Sequence, residues 1–353
     1  MCNASTSLFM SRMPEVSRRM AVSLGGAALL AAAARSVRAA PGVRGIIAVD
    51  KMGEHVRFYD PTTFAETGRI ATPKAPHELA LHPDGRHAFV SIYGAGIFGN
   101  NPKPGHEILV LDLERRTEVG RLSVDPYRPP HGMQFDADNK LWVTCDLAGC
   151  LLQLDPANGT LLKEIETGSL GGHWLCLSHD KRKVYVSNKG APLGVFDVES
   201  GRPLATVSLP RGSEGLDATA DGRIVIADNE TGSLHEIEIV TDRVLRTTPL
   251  HDSPPTNPKR SRLVRVRVSP DGRHVLTGNY ASAVVYVHDA MDLADQTLLV
   301  VAKGPMGFAF APDNRTALVA NHDSGLVTLL DMESRRVLGA FEAGSGVETL
   351  SYY

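Results

Sequence analysis

The sequence has no excess of charge of either sign: 37 Lys and Arg stand against 40 Asp and Glu, a formal net charge of −3. Without a basic run or stripe, a nucleic-acid surface is excluded. No apolar stretch is long enough for a membrane-spanning helix. Aromatic residues make up only 6 % of the chain, while hydrophobic residues reach 42 %, enough for a large aliphatic core. Chemical signatures are missing too. No Gly-rich phosphate loop opens a helix, and there is no GxSxG elbow and no CxxC or CxxCH pair. No segment carries convincing helical periodicity.

Cysteine is scarce, with four residues, of which Cys2 lies in the N-terminal leader. Cys145 and Cys150 flank an expected hairpin loop, where a cross-strand disulfide could form in an oxidising compartment. Buried free thiols are the alternative.

What is present begins with that leader. Arg18-Arg19 precede an Ala/Gly/Leu stretch from Ala21 to Ala34, followed by Arg35, Arg38 and Ala39-Ala40-Pro41. This order of charged, apolar and small residues predicts a twin-arginine-type signal peptide over 1–40 and a periplasmic or secreted protein. A disordered basic tail is the other reading.

From Gly45 onward, short β-branched or aromatic runs alternate with Gly, Pro, Asn and Asp clusters. An apolar run ends in an acid at Asp60, Asp112, Asp155, Asp197, Glu238, Asp289 and Asp331, mostly at intervals of about 42 residues, the period of a four-stranded propeller blade. The spacing predicts an all-β, seven-bladed propeller over 41–353. In the second blade, strands A to D are expected at His77–His82, His87–Tyr93, Glu107–Leu113 and Glu118–Ser123. The first blade begins at a strand B, Gly45–Asp50, and lacks a strand A. The segment Gly346–Tyr353 supplies one, so the C-terminal strand is expected to close the ring.

The repeats PHELALHPDGRHAFVS, SHDKRKVYVSN, SPDGRHVLTGN and APDNRTALVAN resemble the YVTN-type, YncE-like β-propeller family, over essentially all of the chain after its leader. More distantly the sequence is similar to propeller lactonases. The resemblance implies the fold. It implies little about activity, because this architecture hosts enzymes, binding proteins and scaffolds.

Strand A lines the channel of a propeller and starts at its top face. Aligned on the A–B turns, the residues at that start are Glu348, His77, His131, His173, Glu214, Val264 and Met306. His77, His131, His173 and Glu214 are therefore expected to hold a divalent metal (Zn, Cu, Fe or Mn), since imidazole and carboxylate suit such ions. Hydrated channel polars are the alternative. The phase raises a difficulty: His77 shares parity with Leu79 and Leu81, which would turn the imidazole into the core. Glu78, Asp146 and Glu348 are the candidates to move a proton.

The exits of strand B and the residues after them give a second set: Asp50, Tyr93, Asn188, Asp228, Asn229, Asn279 and Asn321, with Lys51 and His322 at equivalent positions. They could line a ligand cup, or close turns on their own backbone. Arg262 and Arg265 would flank the entrance for an anionic substrate. Long insertions at Gly94–His106 and His251–Arg262 would rim the top face.

Two readings follow. One is a metal-dependent enzyme acting on a small molecule at the top face, with lactone or ester hydrolysis favoured by the resemblance and lyase or oxidase chemistry also compatible. The other is a non-catalytic propeller that grips a ligand or a protein partner. A monomer is expected in either case.

Overall fold

The computed structural model describes residues 42–353 apart from 191, 211, 230 and 252–262. The leader, Arg262 and the His251–Arg262 insertion beyond its first residue thus lie outside the described residues.

Seven four-stranded antiparallel sheets form the blades of a β-propeller. Each blade buries its faces only against its neighbours, so seven apolar clusters fill the seven junctions. Between blades two and three, for example, Ala80, Phe89 and Ile108 meet Met133, Phe135 and Leu141. The outermost strands show the alternation of a sheet wet on one side; Thr117–Ser123 exposes every second residue up to Arg121.

The ring closes as the missing strand A predicts. Val347–Tyr352 pairs antiparallel with Ile46–Asp50, Ile46 opposite Tyr352. Asp50 locks the junction. Its Oδ1 accepts from the amides of Gly53, Ser345 and Gly346 at 3.0, 2.9 and 2.9 Å, and its Oδ2 from Arg57 Nε at 2.9 Å.

The structure changes one sequence expectation and favours one of the two cysteine readings. The Gly94–His106 insertion is not an open loop but a small hairpin, Gly94–Ile97 against Asn100–Pro104, tied down by Asn101 Nδ2 donating to the Tyr93 carbonyl at 3.0 Å. Cys145 and Cys150 do lie directly opposite each other on paired strands, but both are buried free thiols.

Candidate functional site

The innermost strands are Val347–Tyr352, Pro76–Leu81, Pro130–Phe135, Gly172–Leu177, Leu216–Ala218, Leu263–Val268 and Pro305–Phe310, for blades one to seven. Six of them carry a register shift at the start of the strand. This bulge resolves the parity difficulty. An extra residue breaks the two-residue alternation, so His77 turns inward while Leu79 still reaches the core. In blades two, three and four the bulge amide is held by a hydroxyl on strand B. Ser91 Oγ accepts from Glu78 N at 3.0 Å, Thr144 Oγ1 from Gly132 N at 2.9 Å, and Ser187 Oγ from Trp174 N at 3.0 Å. These are the three histidine blades. Blades one, five, six and seven have Val49, Ala227, Gly278 and Ala320 at the corresponding place. A hydroxyl just before the strand-B exit therefore marked the site in the sequence, although the alignment of exits alone did not single it out.

The imidazoles form a contiguous arc. Ring centroids are 4.4 Å apart for His77 and His131, and 4.1 Å for His131 and His173. Tyr93 stands edge-on to the first two and donates its hydroxyl to Asp146 Oδ2 at 2.7 Å. All these groups are buried. Burial holds the three imidazoles well below the usual histidine range, with the Lys51 charge adding at His77. Burial also raises Asp146, partly offset by its bond from Tyr93, and raises Glu78, partly offset by Arg265. For Glu348, burial pushes the carboxyl up, but Lys51, His77 and His322 outweigh it, and the group lies well below the usual carboxylate range.

One ring nitrogen each of His77 and His131 and a Glu78 oxygen lie mutually within 4.8 Å. Among the described residues the two imidazole Nδ1 atoms are buried without a hydrogen-bond partner, as is Glu78 Oε2, although Glu348 Oε1 lies 3.2 Å from His77 Nδ1. The distances of the two Nδ1 atoms to Glu78 Oε1 are 3.8 and 4.0 Å, slightly wider than the roughly 3.3–3.5 Å edge of a tetrahedral site with ordinary metal–nitrogen bonds. The donor set therefore suits a borderline divalent ion after a small inward movement. Glu78 joins His77 and His131 in this group, while His173 continues the arc beside His131 and Glu214 lies next to His173. The His173 Nδ1–H donates to the Glu214 carbonyl at 2.8 Å, which fixes its tautomer and leaves Nε2 with the lone pair, 3.7 Å from Glu214 Oε2.

Two protein cations already serve this cluster. Lys51 Nζ lies 3.3 Å from His77 Nε2 and 3.6 Å from Glu348 Oε2. Arg265 crosses the channel to bond Glu78 Oε1, with its guanidinium 4.4 Å from the Trp174 ring centre. On the far side of Glu348, His322 Nδ1 is 3.0 Å from Oε2. Lys51 and His322 are thus closer to the arc than most of the residues singled out beforehand.

The strand-B exits mostly take the turn-closing role. Asp50 binds the closing strand, as described above. Asn188 Oδ1 accepts from Gly190 N and Asp228 Oδ1 from Thr231 N. Asn279 Oδ1 accepts from Ser282 N, and Asn321 Nδ2 donates to the Val319 and Leu326 carbonyls. Asn229 Oδ1 accepts from the Glu214 amide at 3.2 Å and so holds the blade-five edge of the arc. These contacts are local backbone bonds, which short Asn and Asp side chains make readily.

No protein-family profile matches this sequence, and no curated protein matches it. Solved structures do. The periplasmic gluconolactonase of Pseudomonas aeruginosa superposes with a TM-score of 0.69 at 20 % identity, covering 87 % of this chain and 98 % of that one. The hydrazine synthase of Kuenenia stuttgartiensis gives 0.67 at 18 % identity over 86 % and 96 %. A dihydro-heme d1 dehydrogenase in complex with DHE gives 0.61 at 14 % identity over 88 % and 75 %. At these identities the likeness establishes the propeller fold, and the fold is shared by proteins of different chemistry.

Proposed function

We propose that this protein is an exported β-propeller enzyme that binds one divalent metal through His77, His131 and Glu78 and processes a small molecule at the top of its channel. The observation that carries this reading is the grouping of two buried imidazoles, whose Nδ1 atoms have no hydrogen-bond partner among the described residues, with the buried carboxylate of Glu78, whose Oε1 is shared with Arg265 and whose Oε2 has no such partner, while Glu348 Oε1 lies 3.2 Å from His77 Nδ1. Buried polar atoms are normally satisfied, and unsatisfied ones gathered at a single point call for a ligand. The bound ion would supply Lewis-acid polarisation of a carbonyl. Lactone or ester opening fits best, with the gluconolactonase among the structural neighbours as support. Asp146, raised by burial and bonded to Tyr93, is placed to hold a proton. The lone pair of His173 Nε2 and the carboxylate of Glu348 complete the polar wall.

A metal on His77 Nδ1 requires the ring proton on Nε2. The Lys51 contact to Nε2 must then break, because an ammonium can only donate. The same observation supports the second reading. With Lys51 and Arg265 already neutralising Glu348 and Glu78, the cluster could instead shape a non-catalytic binding face.

The test is metal content. Tag-free protein, soaked with Zn, Cu, Fe and Mn and then desalted, should hold one metal per chain by mass spectrometry, and His131→Ala should hold none. Metal-free protein after the soak would leave the binding reading. Export is part of the proposal: replacing Arg18-Arg19 by Lys-Lys should leave the precursor in the cytoplasm, and normal periplasmic processing would exclude the twin-arginine route.

A further inference from the structure

The residues that directly follow the arc positions form the next layer: Thr349, Glu78, Gly132, Trp174, Gly215, Arg265 and Gly307. Three of these residues are glycines, Gly132, Gly215 and Gly307. A Cβ on Gly215 would stand 2.6 Å from the Arg265 Cα, so the strands approach too closely here for any side chain. The space left at the axis is filled by long groups from other blades: Glu78, Trp174 and Arg265. Together they plug the channel beneath the histidine arc.

Under the plug lies a cavity of about 270 Å³. Arg267, in its lining, is exposed. The upper end of the cavity carries Arg265 and Trp174, and its walls carry Met133, Phe135 and Phe308. Two arginines, Arg265 and Arg267, face a single carboxylate, Asp217, which lies 3.8 Å from Arg267. Arg265 is 94 % buried, with Nη1 lacking a hydrogen-bond partner among the described residues although Nη2 is bonded to Glu78. A desolvated guanidinium with an unused donor costs free energy unless an acceptor arrives.

We infer that this lower channel is a binding site for a small organic monoanion, with a carboxylate taken by Arg265 and an apolar, preferably flat body held against Trp174 and Phe308. A guanidinium favours a carboxylate over a neutral acceptor, and the cavity size, just under the range typical of drug-sized ligands, limits the guest to about a dozen non-hydrogen atoms. The site is entered from the face opposite the histidine arc.

Benzoate is the probe, with benzamide as its neutral counterpart. Calorimetric titration of the full chain should show saturable benzoate binding at least tenfold tighter than benzamide. Trp174 reports the location: in a Trp142→Phe variant, the fluorescence of the remaining tryptophan should change along the same isotherm. Arg265→Gln should abolish binding. Because that change leaves Glu78 unpaired and could impair folding, Ser351→Phe is the second variant; it fills the cavity from a wall remote from the plug and should also abolish binding. Equal affinity for benzamide, unchanged binding in folded Arg265→Gln or Ser351→Phe protein, or no binding at millimolar benzoate would each overturn the inference.

Discussion

Glu78 of blade two and Arg265 of blade six stand 187 positions apart in sequence and form an ion pair across the channel. Both side chains are buried, so neither can be rescued by water when its partner is lost. Arg265→Leu is therefore expected to lower unfolding free energy by about 3–5 kcal/mol, the usual cost of stranding a buried charge. The double change Glu78→Leu with Arg265→Leu should recover much of that loss. Urea denaturation of the single and double variants checks it, and a double variant less stable than both singles would show that the pair does not act as described.

The hydroxyl that holds each histidine bulge gives a second expectation. Thr144 Oγ1 accepts from Gly132 N and donates to the His173 carbonyl, both at 2.9 Å. Thr144→Val keeps the shape and removes both bonds. Stability should fall by about 1–3 kcal/mol, the cost of an unsatisfied buried backbone group. Metal affinity should fall with it, since His131 and His173 sit on the two strands the hydroxyl joins. Thr144→Ser should behave like wild type in both measurements.

On the proposed metal reading, Lys51 would compete with the ion for His77. Lys51→Met removes the competitor while keeping the length of the aliphatic stem, so zinc affinity should rise by roughly tenfold or more, as removal of about 1.4 kcal/mol of competing interaction predicts. Competition titration against a chromogenic chelator measures this. An affinity equal to or weaker than that of wild type would show that Lys51 supports the ion rather than opposing it.

Much of this fold was legible in the sequence, and the reason is repetition. The acids that end strand C recur seven times, and the lone strand beginning at Gly346 had one place to go. The arc of histidines was legible as well, because an equivalent position in a closed ring becomes a spatial neighbour. Its orientation was not. A bulge adds one residue to one strand and leaves no separate signal in a pattern of alternating polarity, so the parity of His77 with Leu79 pointed the wrong way. The Glu78–Arg265 pair was hidden for another reason: it joins non-adjacent blades, and which long side chain crosses a channel depends on the glycines that make room for it. Lys51 and His322 were visible at their strand exits. Only the three-dimensional distances separate them from equivalent residues that merely close turns.

Acidity gives a fourth expectation. For His77, His131 and His173 the folded protein holds the imidazole well below the ordinary value of 6.5. As pH falls below that value, the unfolded chain takes up protons that the native state refuses, and stability is lost. Each such imidazole contributes a slope of up to about 1.4 kcal/mol per pH unit. Glu348, held low, acts in the same direction at lower pH; Glu78, held high, opposes it above the ordinary carboxylate value of 4.5. The melting temperature of metal-free protein should therefore drop steeply from pH 7 to pH 5.5. His131→Gln should flatten the drop, and an unchanged melting temperature across that interval would count against buried neutral imidazoles.

Glu348 lies on the strand that closes the ring, and its carboxylate stands 3.2 Å from His77 Nδ1. Order of synthesis thus bears on chemistry. While the ribosome is still making the chain, His77, His131 and His173 emerge well before the acid that ends up beside them. A nascent chain can display the imidazoles without the group that balances them, and the finished pocket appears only when the circle is sealed. Sealing of the ring and assembly of its pocket become one event, so a ring left open lacks both its last inner strand and the acid that strand carries.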